Sequence, residues 1–202
     1  MKKIGIVIGI MIALVTTVGS LAYFVSKETK VNEFEIGSIE ARIDETFDGV
    51  HANDLSTNKK IDKFVAITNT GKSNEVIRVI MNPQWEKRLK DIKDIPISAS
   101  NQIELNLRNG FEDDWIESSD GYYYYKKVLK PGETTSNLLE SVSIKKDITE
   151  DEKHEFKYRD LSVNVSVEAM QVNTQAIEDN WNKNNTMDTN VVTYLDKLIN
   201  EK

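Results

Sequence analysis

Residues 161–169, LSVNVSVEA, alternate without a break: Leu161, Val163, Val165, Val167 and Ala169 stand against Ser162, Asn164, Ser166 and Glu168. A period of two places every second side chain on one side of an extended backbone, so this stretch predicts a strand with one face in a core. Shorter runs of the same kind recur through the chain. Ile39, Ala41 and Ile43 alternate with Glu40, Arg42 and Asp44; KFVAITNTG (63–71), 76–81, 122–129 and 138–144 are β-favourable; Ile103, Leu105 and Leu107 alternate with polar neighbours. Turn residues punctuate them at Asn69-Thr70-Gly71, Asn109-Gly110, Ser118-Ser119-Asp120-Gly121 and Pro131-Gly132. About eight short strands with few helices predict an all-β fold, an antiparallel two-sheet sandwich of jelly-roll-like or immunoglobulin-like type.

The local signals also predict connections. Residues 63–71 and 76–81 are close enough in sequence to read as a hairpin, and Ser118 to Gly121 reads as the turn of a second one. Pro83 is expected to end the run before it, with Leu89 and Ile92 at helical spacing within a charged excursion over 85–94. Thr149 with Glu152 three residues later matches a capping box, predicting a short acidic helix over 150–155. Val191, Leu195 and Leu198 fall at i, i+4 and i+7, predicting an amphipathic C-terminal helix packed on the domain's flank.

At the N-terminus, Lys2 and Lys3 precede an uncharged run over 4–21, with Ser20 and Ala22 as small residues before a cut between Ala22 and Tyr23. That pattern predicts a signal peptide over 1–22, although the run also has the length of a membrane anchor. The expected organisation is therefore a signal helix (1–22), one β-sandwich domain (23–182) whose first part is 23–47, and a polar linker with a terminal helix (183–202). Without the leader, Lys+Arg falls from 26 to 24 against 33 Asp+Glu, moving the net charge from −7 to −9. An acidic chain with no basic cluster excludes nucleic acid as a natural partner and leaves membrane contact to an uncleaved leader. With no cysteine at all, the chain has neither disulfides nor thiolate metal sites.

No catalytic constellation is legible. HExxH, GxSxG and phosphate-cradling glycine loops are absent, and the two histidines, His51 and His154, lie in polar surroundings. Glu150 and His154 share a helix-face spacing, and Glu112, Asp113 and Asp114 form an acidic turn, but neither has the ligand pattern of a dedicated zinc or calcium site. The expectation is no catalytic residue, no metal and no cofactor. Four consecutive tyrosines, Tyr122, Tyr123, Tyr124 and Tyr125, are the most unusual composition in the chain. In a strand they divide two to each face, so two rings enter the core while two lie on the surface for stacking on sugars or on a neighbouring subunit. Trp181 reads as a lid over the core.

Taken together, SLAYF followed by a charged spacer and VNEFEIGSIEARIDETF resembles the substrates of a special signal peptidase in the TasA and camelysin family of Gram-positive biofilm-matrix proteins. Asn32, Phe34 and Gly37 match its N-x-F-x-x-G pattern. KFVAITNTG with VIRV, DGYYYYKKVLKPGETTSNLLESV and VSVEAMQVNTQAIEDNW are similar to its recurrent strands, most of all in the branch of BsaA-type biofilm surface-layer proteins. The likeness spans most of residues 1–182. It implies a jelly-roll subunit exported to the extracellular matrix or cell surface, cut by signal peptidase, and polymerised into fibres with itself and other matrix components as partners. It further implies that residues 23–47 act as a donor strand for the next subunit, with Phe34, Ile36, Ile39 and Ile43 as apolar plugs and Gly37 as bulge or hinge. Camelysin-like relatives also suggest a secreted metalloprotease, and the leader alone suggests a membrane-anchored adhesin.

Overall fold

The computed structural model describes residues 25–29, 40–46, 50–51, 59–87, 95–156 and 158–200. Two antiparallel sheets face each other. The larger contains β1 (Val25–Thr29), β11 (Arg159–Gln171), β5 (Glu75–Lys87), β9 (Tyr123–Tyr125) and β8 (Trp115–Glu117) in that order, with β3 (Val50–His51) also on β11 and β6 (Ile97–Ser98) also on β5. The smaller runs β2 (Ala41–Thr46), β4 (Ile61–Asn69), β10 (Leu139–Ile144) and β7 (Ile103–Leu107). The all-β, two-sheet expectation holds at this level.

The spine of the large sheet is the β5–β11 ladder, in which thirteen consecutive residues pair from Arg159↔Lys87 to Gln171↔Glu75. Ile77, Val79, Leu161, Val165 and Val167 on its inner face meet Val65, Ile67, Leu139 and Val142 of the small sheet. At the far end α1 (Glu150–Phe156) closes this core, its Phe156 ring stacked on Trp85 at 4.4 Å. The Thr149 capping box forms as expected: Thr149 N donates to Glu152 Oε2 at 2.8 Å and Glu152 N donates to Thr149 Oγ1 at 3.3 Å.

A second core lies on the opposite face of the large sheet. From Val167 onward β11 changes from alternating to continuous burial, because α2 (Thr174–Asn180) and α3 (Thr189–Asn200) cover the outer face of that half. Val76, Tyr124 and Met170 from the sheet pack there with Ile177, Trp181, Val191 and Leu195. The C-terminal helix thus uses its predicted apolar stripe.

Two expected connections do not form. Residues 63–71 and 76–81 belong to β4 and β5, which lie in different sheets, so the link between them turns a corner. Asn69 sets that corner: its side-chain amide donates to the carbonyls of Ser73 (2.8 Å) and Leu129 (2.9 Å), while its Oδ1 accepts from Gly71 N (2.8 Å). Pro83 does not end its run, and Trp85–Lys87 is strand where a helical turn was expected; residues 88–94 of that excursion lie outside the described residues. Pro83 O accepts from Ala99 N at 2.9 Å, so the missing N–H faces the β6 side and the ladder to β11 loses nothing. The second hairpin forms as predicted, pairing Trp115↔Tyr125 and Glu117↔Tyr123. Its turn needs Gly121, whose φ of 85° is left-handed.

Candidate functional site: the open edge of β11

A strand has two edges, and those of β11 are occupied very differently. One is filled by β5. The other carries β1 over five residues, Val25↔Met170 to Thr29↔Ser166, and β3 over two, Asp160↔His51 and Leu161↔Val50. Between them, residues 162–165 have no strand partner on that edge among the described residues. A strand edge offers a row of unpaired N–H and C=O groups, and main-chain bonding to it is indifferent to which chain supplies the partner.

The first part of the domain is therefore divided. Residues 25–29 join the large sheet, while residues 41–46 join the small one, where Ile43 pairs with Ile67 and is half-buried against the core. Of the residues expected to act in donation or cleavage, only Ile43 is placed. Ala22, Tyr23, Asn32, Phe34, Ile36, Gly37 and Ile39 lie outside the described residues.

The two described stretches meet the body at a corner built on Glu75. Its side chain is fully buried, and its Oε1 accepts from the backbone N of Glu40 at 3.0 Å, where the chain enters β2. Oε2 has no hydrogen-bond partner among the described residues. Burial pushes this carboxyl up to about 7; the Glu40 N–H bond opposes the rise and the charge of Glu40 adds to it. A carboxyl that changes charge near neutrality thus sits where the N-terminal arm joins the domain.

Beside the open edge, the outer face holds a buried ion pair. Arg78 donates to Glu168 Oε2 from Nη2 (2.7 Å) and Nε (3.0 Å), and from Nη1 to the Tyr124 hydroxyl (3.1 Å), which itself donates to Asp120 Oδ2 at 2.6 Å. The guanidinium carbon lies 3.9 Å from the Tyr122 ring centroid and 4.8 Å from that of Trp181. Desolvation works against the charge of Arg78, and Glu168 and Tyr124 more than reverse it. Burial also lifts the Tyr124 hydroxyl above its ordinary range. Every polar group of this cluster is spent on another, which suits a rigid support for β11 and leaves no free acid, base or nucleophile.

The tyrosines divide by face as predicted, but of the outer pair Tyr124 is buried and Tyr122 is half-buried. Tyr125 packs on Trp115 (4.9 Å) and Tyr123 on Phe111 (6.3 Å) in the inner core, whereas Tyr122 and Tyr124 lie under the C-terminal helices. Tyr124 is wholly buried and Tyr125 nearly so, which withdraws them as stacking platforms. Trp181 is a core lid, as expected. No group of three His, Cys, Asp or Glu suited to a metal occurs among the described residues. Glu150 pairs with Lys153 at 2.6 Å, and Asp114 with Arg108 and Lys127 at 2.9 and 2.6 Å.

Sequence reasoning missed the open edge, Glu75 and the Arg78–Glu168 pair. The long alternation of β11 was the available signal for the first; charged residues inside otherwise apolar strands were the signal for the others. No family model, curated protein or solved structure matches this chain.

Proposed function

We propose that this protein is a secreted structural subunit of extracellular fibres, polymerising head to tail when its N-terminal arm seats on β11 of the next copy. The observation that carries this reading is the seat of β1: a five-residue strand in unbroken antiparallel register on an edge that the core of the domain leaves unfilled. Ten residues, 30–39, join β1 to Glu40, and at about 3.5 Å each they reach at most about 35 Å, enough to carry β1 to a neighbouring domain. A contact in which one copy's arm fills another's edge does not close on itself and builds a filament. The jelly-roll type of sandwich, cleavage between Ala22 and Tyr23, export to the matrix or surface of a Gram-positive bacterium, and the roles of Asn32, Phe34, Ile36, Gly37 and Ile39 in donation belong to the same proposal and rest on the likeness to the TasA and camelysin family.

Electron microscopy of the chain beginning at Tyr23, beside the same chain without residues 23–36, tests it. The first is expected to elongate; the second is expected to give a folded β domain by circular dichroism that stays monomeric. Fibres formed by the truncated chain would overturn the proposal.

A further inference from the structure

The chain enters β2 through a clamp that holds one residue by both ends of its backbone. Glu40 N donates to Glu75 Oε1 at 3.0 Å, while Glu40 O accepts from Thr70 N at 2.8 Å and from Gly71 N at 3.0 Å. Both jaws belong to the body of the domain. Glu75 pairs with Gln171 of β11, and its N–H and carbonyl bond to Leu129 at 3.0 and 2.8 Å. The Asn69 side chain pins the turn that carries Thr70 and Gly71 by donating to the carbonyls of Ser73 and Leu129. What such a clamp can let go is therefore Glu40.

The seat suits a neutral carboxyl and not a charged one. Glu75 is fully buried, and the donors around it are spent: Thr70 N and Gly71 N on Glu40, and the Asn69 amide on two carbonyls. Oε2 accordingly has no hydrogen-bond partner among the described residues. The surrounding elements do not supply a counter-ion either. Lys72, Lys130 and Glu133 on the neighbouring turns are exposed, Arg42 of β2 bonds Asp44 at 2.9 Å, and β11 presents the uncharged Gln171. Glu40 adds a like charge, which together with burial sets the carboxyl at about 7. A buried carboxylate with a single hydrogen bond is costly, and contact with water relieves that cost.

We propose that Glu75 is a protonation-operated latch on the root of the N-terminal arm: the neutral acid holds the Glu40 backbone at the start of β2, and the carboxylate releases it. Rising pH thus opens the corner to water, and falling pH closes it. The hold on Glu40 stands by itself, whereas its use in assembly rests on the donor-strand reading: release lengthens the arm on which β1 is offered to a neighbour.

Hydrogen exchange read by mass spectrometry tests the latch on the full chain, whether single or assembled. The amides of Glu40, Thr70 and Gly71 are followed at pH 5 and pH 8, each rate divided by that of an unstructured chain at the same pH. Opening is expected to be at least about ten-fold more frequent at pH 8, while the Ser141–Ile144 amides of the central strand β10 stay better protected at both. Glu75→Gln keeps an acceptor for Glu40 N without the charge, and should hold the three amides at both pH values. Glu75→Ala removes the acceptor and should leave the Glu40 amide open at both; where that variant fails to fold, Glu75→Gln decides. Equal opening of the parent chain at the two pH values, or the same rise in Glu75→Gln, would overturn the proposal. So would a Glu40 amide that opens no more often than those of β10, because the event would then be global unfolding. Exchange reads the corner and microscopy reads fibres, so a failed latch and a failed fibre remain distinguishable.

Discussion

The two edges of β11 are filled in very different ways. Toward β5, thirteen registered pairs back onto two cores, with Val167 and Ala169 fully buried on the inner face and Met170 fully buried on the outer. Toward β1 and β3, seven pairs are supplied in two pieces by a segment that joins the body at Glu40 and beyond. Apolar burial at about 25 cal/mol per Å² dominates the first edge, whereas a backbone hydrogen bond on an exposed edge nets only about 1 kcal/mol. The difference is that the β5 edge is backed by buried side chains of both cores, whereas the other edge is met by two short strands from the first part of the chain; the donor-strand proposal predicts that the domain holds together without them.

The largest effect is expected where the comparison is broken from the inside. Val167→Asp places a carboxylate between the sheets with no partner provided, at a cost of several kcal/mol against a total of about 5–15 kcal/mol. Circular dichroism should show no cooperative thermal transition, or one displaced by more than about 10 °C. A transition as in the parent would mean that β11 is less central than its burial implies.

A smaller effect, and one with a sign, is expected at the Glu75 corner. Its carboxyl moves from an ordinary 4.5 to about 7 on folding. Between those values the folded chain binds a proton that the unfolded chain has lost, so this contribution is complete below about pH 4.5 and disappears as pH rises through 7. The displacement corresponds to about 3 kcal/mol. Urea midpoints should therefore fall between pH 5 and pH 8, and Glu75→Gln should flatten most of that slope. Lys72, Lys130 and Glu133 on the neighbouring turns are exposed, and Glu40 is the charge that acts on Glu75, so Glu40→Gln should reduce the slope only in part. An unchanged slope in Glu75→Gln would place the titration elsewhere.

How much of this was legible follows from what each signal encodes. Period two over 161–169 and period 3.6 over 189–200 report the local backbone and the apolar face together, so β11 and α3 could be read directly. Asn69-Thr70-Gly71 announces a turn but not the sheet to which the chain returns, and the corner was therefore mistaken for a hairpin. Pro83 announces a lost donor but not the edge it faces. The division of the four tyrosines two to each face follows from strand alternation, whereas the cover over Tyr122 and Tyr124 comes from helices more than 50 residues later in the chain. For the candidate site, the expectation that the N-terminal segment acts in assembly rests on the family likeness, and the seat of β1 depends on register with a strand more than 130 residues away, which no local pattern records.

The smallest effect should come from the open edge itself, and it sharpens the comparison most. Glu28 stands opposite Val167, so a substitution there tests the same rung of the ladder from the other side. Glu28→Pro removes a backbone donor from β1 and fixes its φ, which an edge strand tolerates far better than a central one. With one or two hydrogen bonds lost, the melting of the monomer should change by about 1 kcal/mol or less. Exchange of the Ser166–Met170 amides that face β1 should quicken strongly, while those facing β5 stay protected. Elongation should fail in the same variant, because a strand that holds its own edge poorly holds a neighbour's no better. Loss of stability comparable to Val167→Asp would mean that β1 is an integral strand and not an exchangeable one.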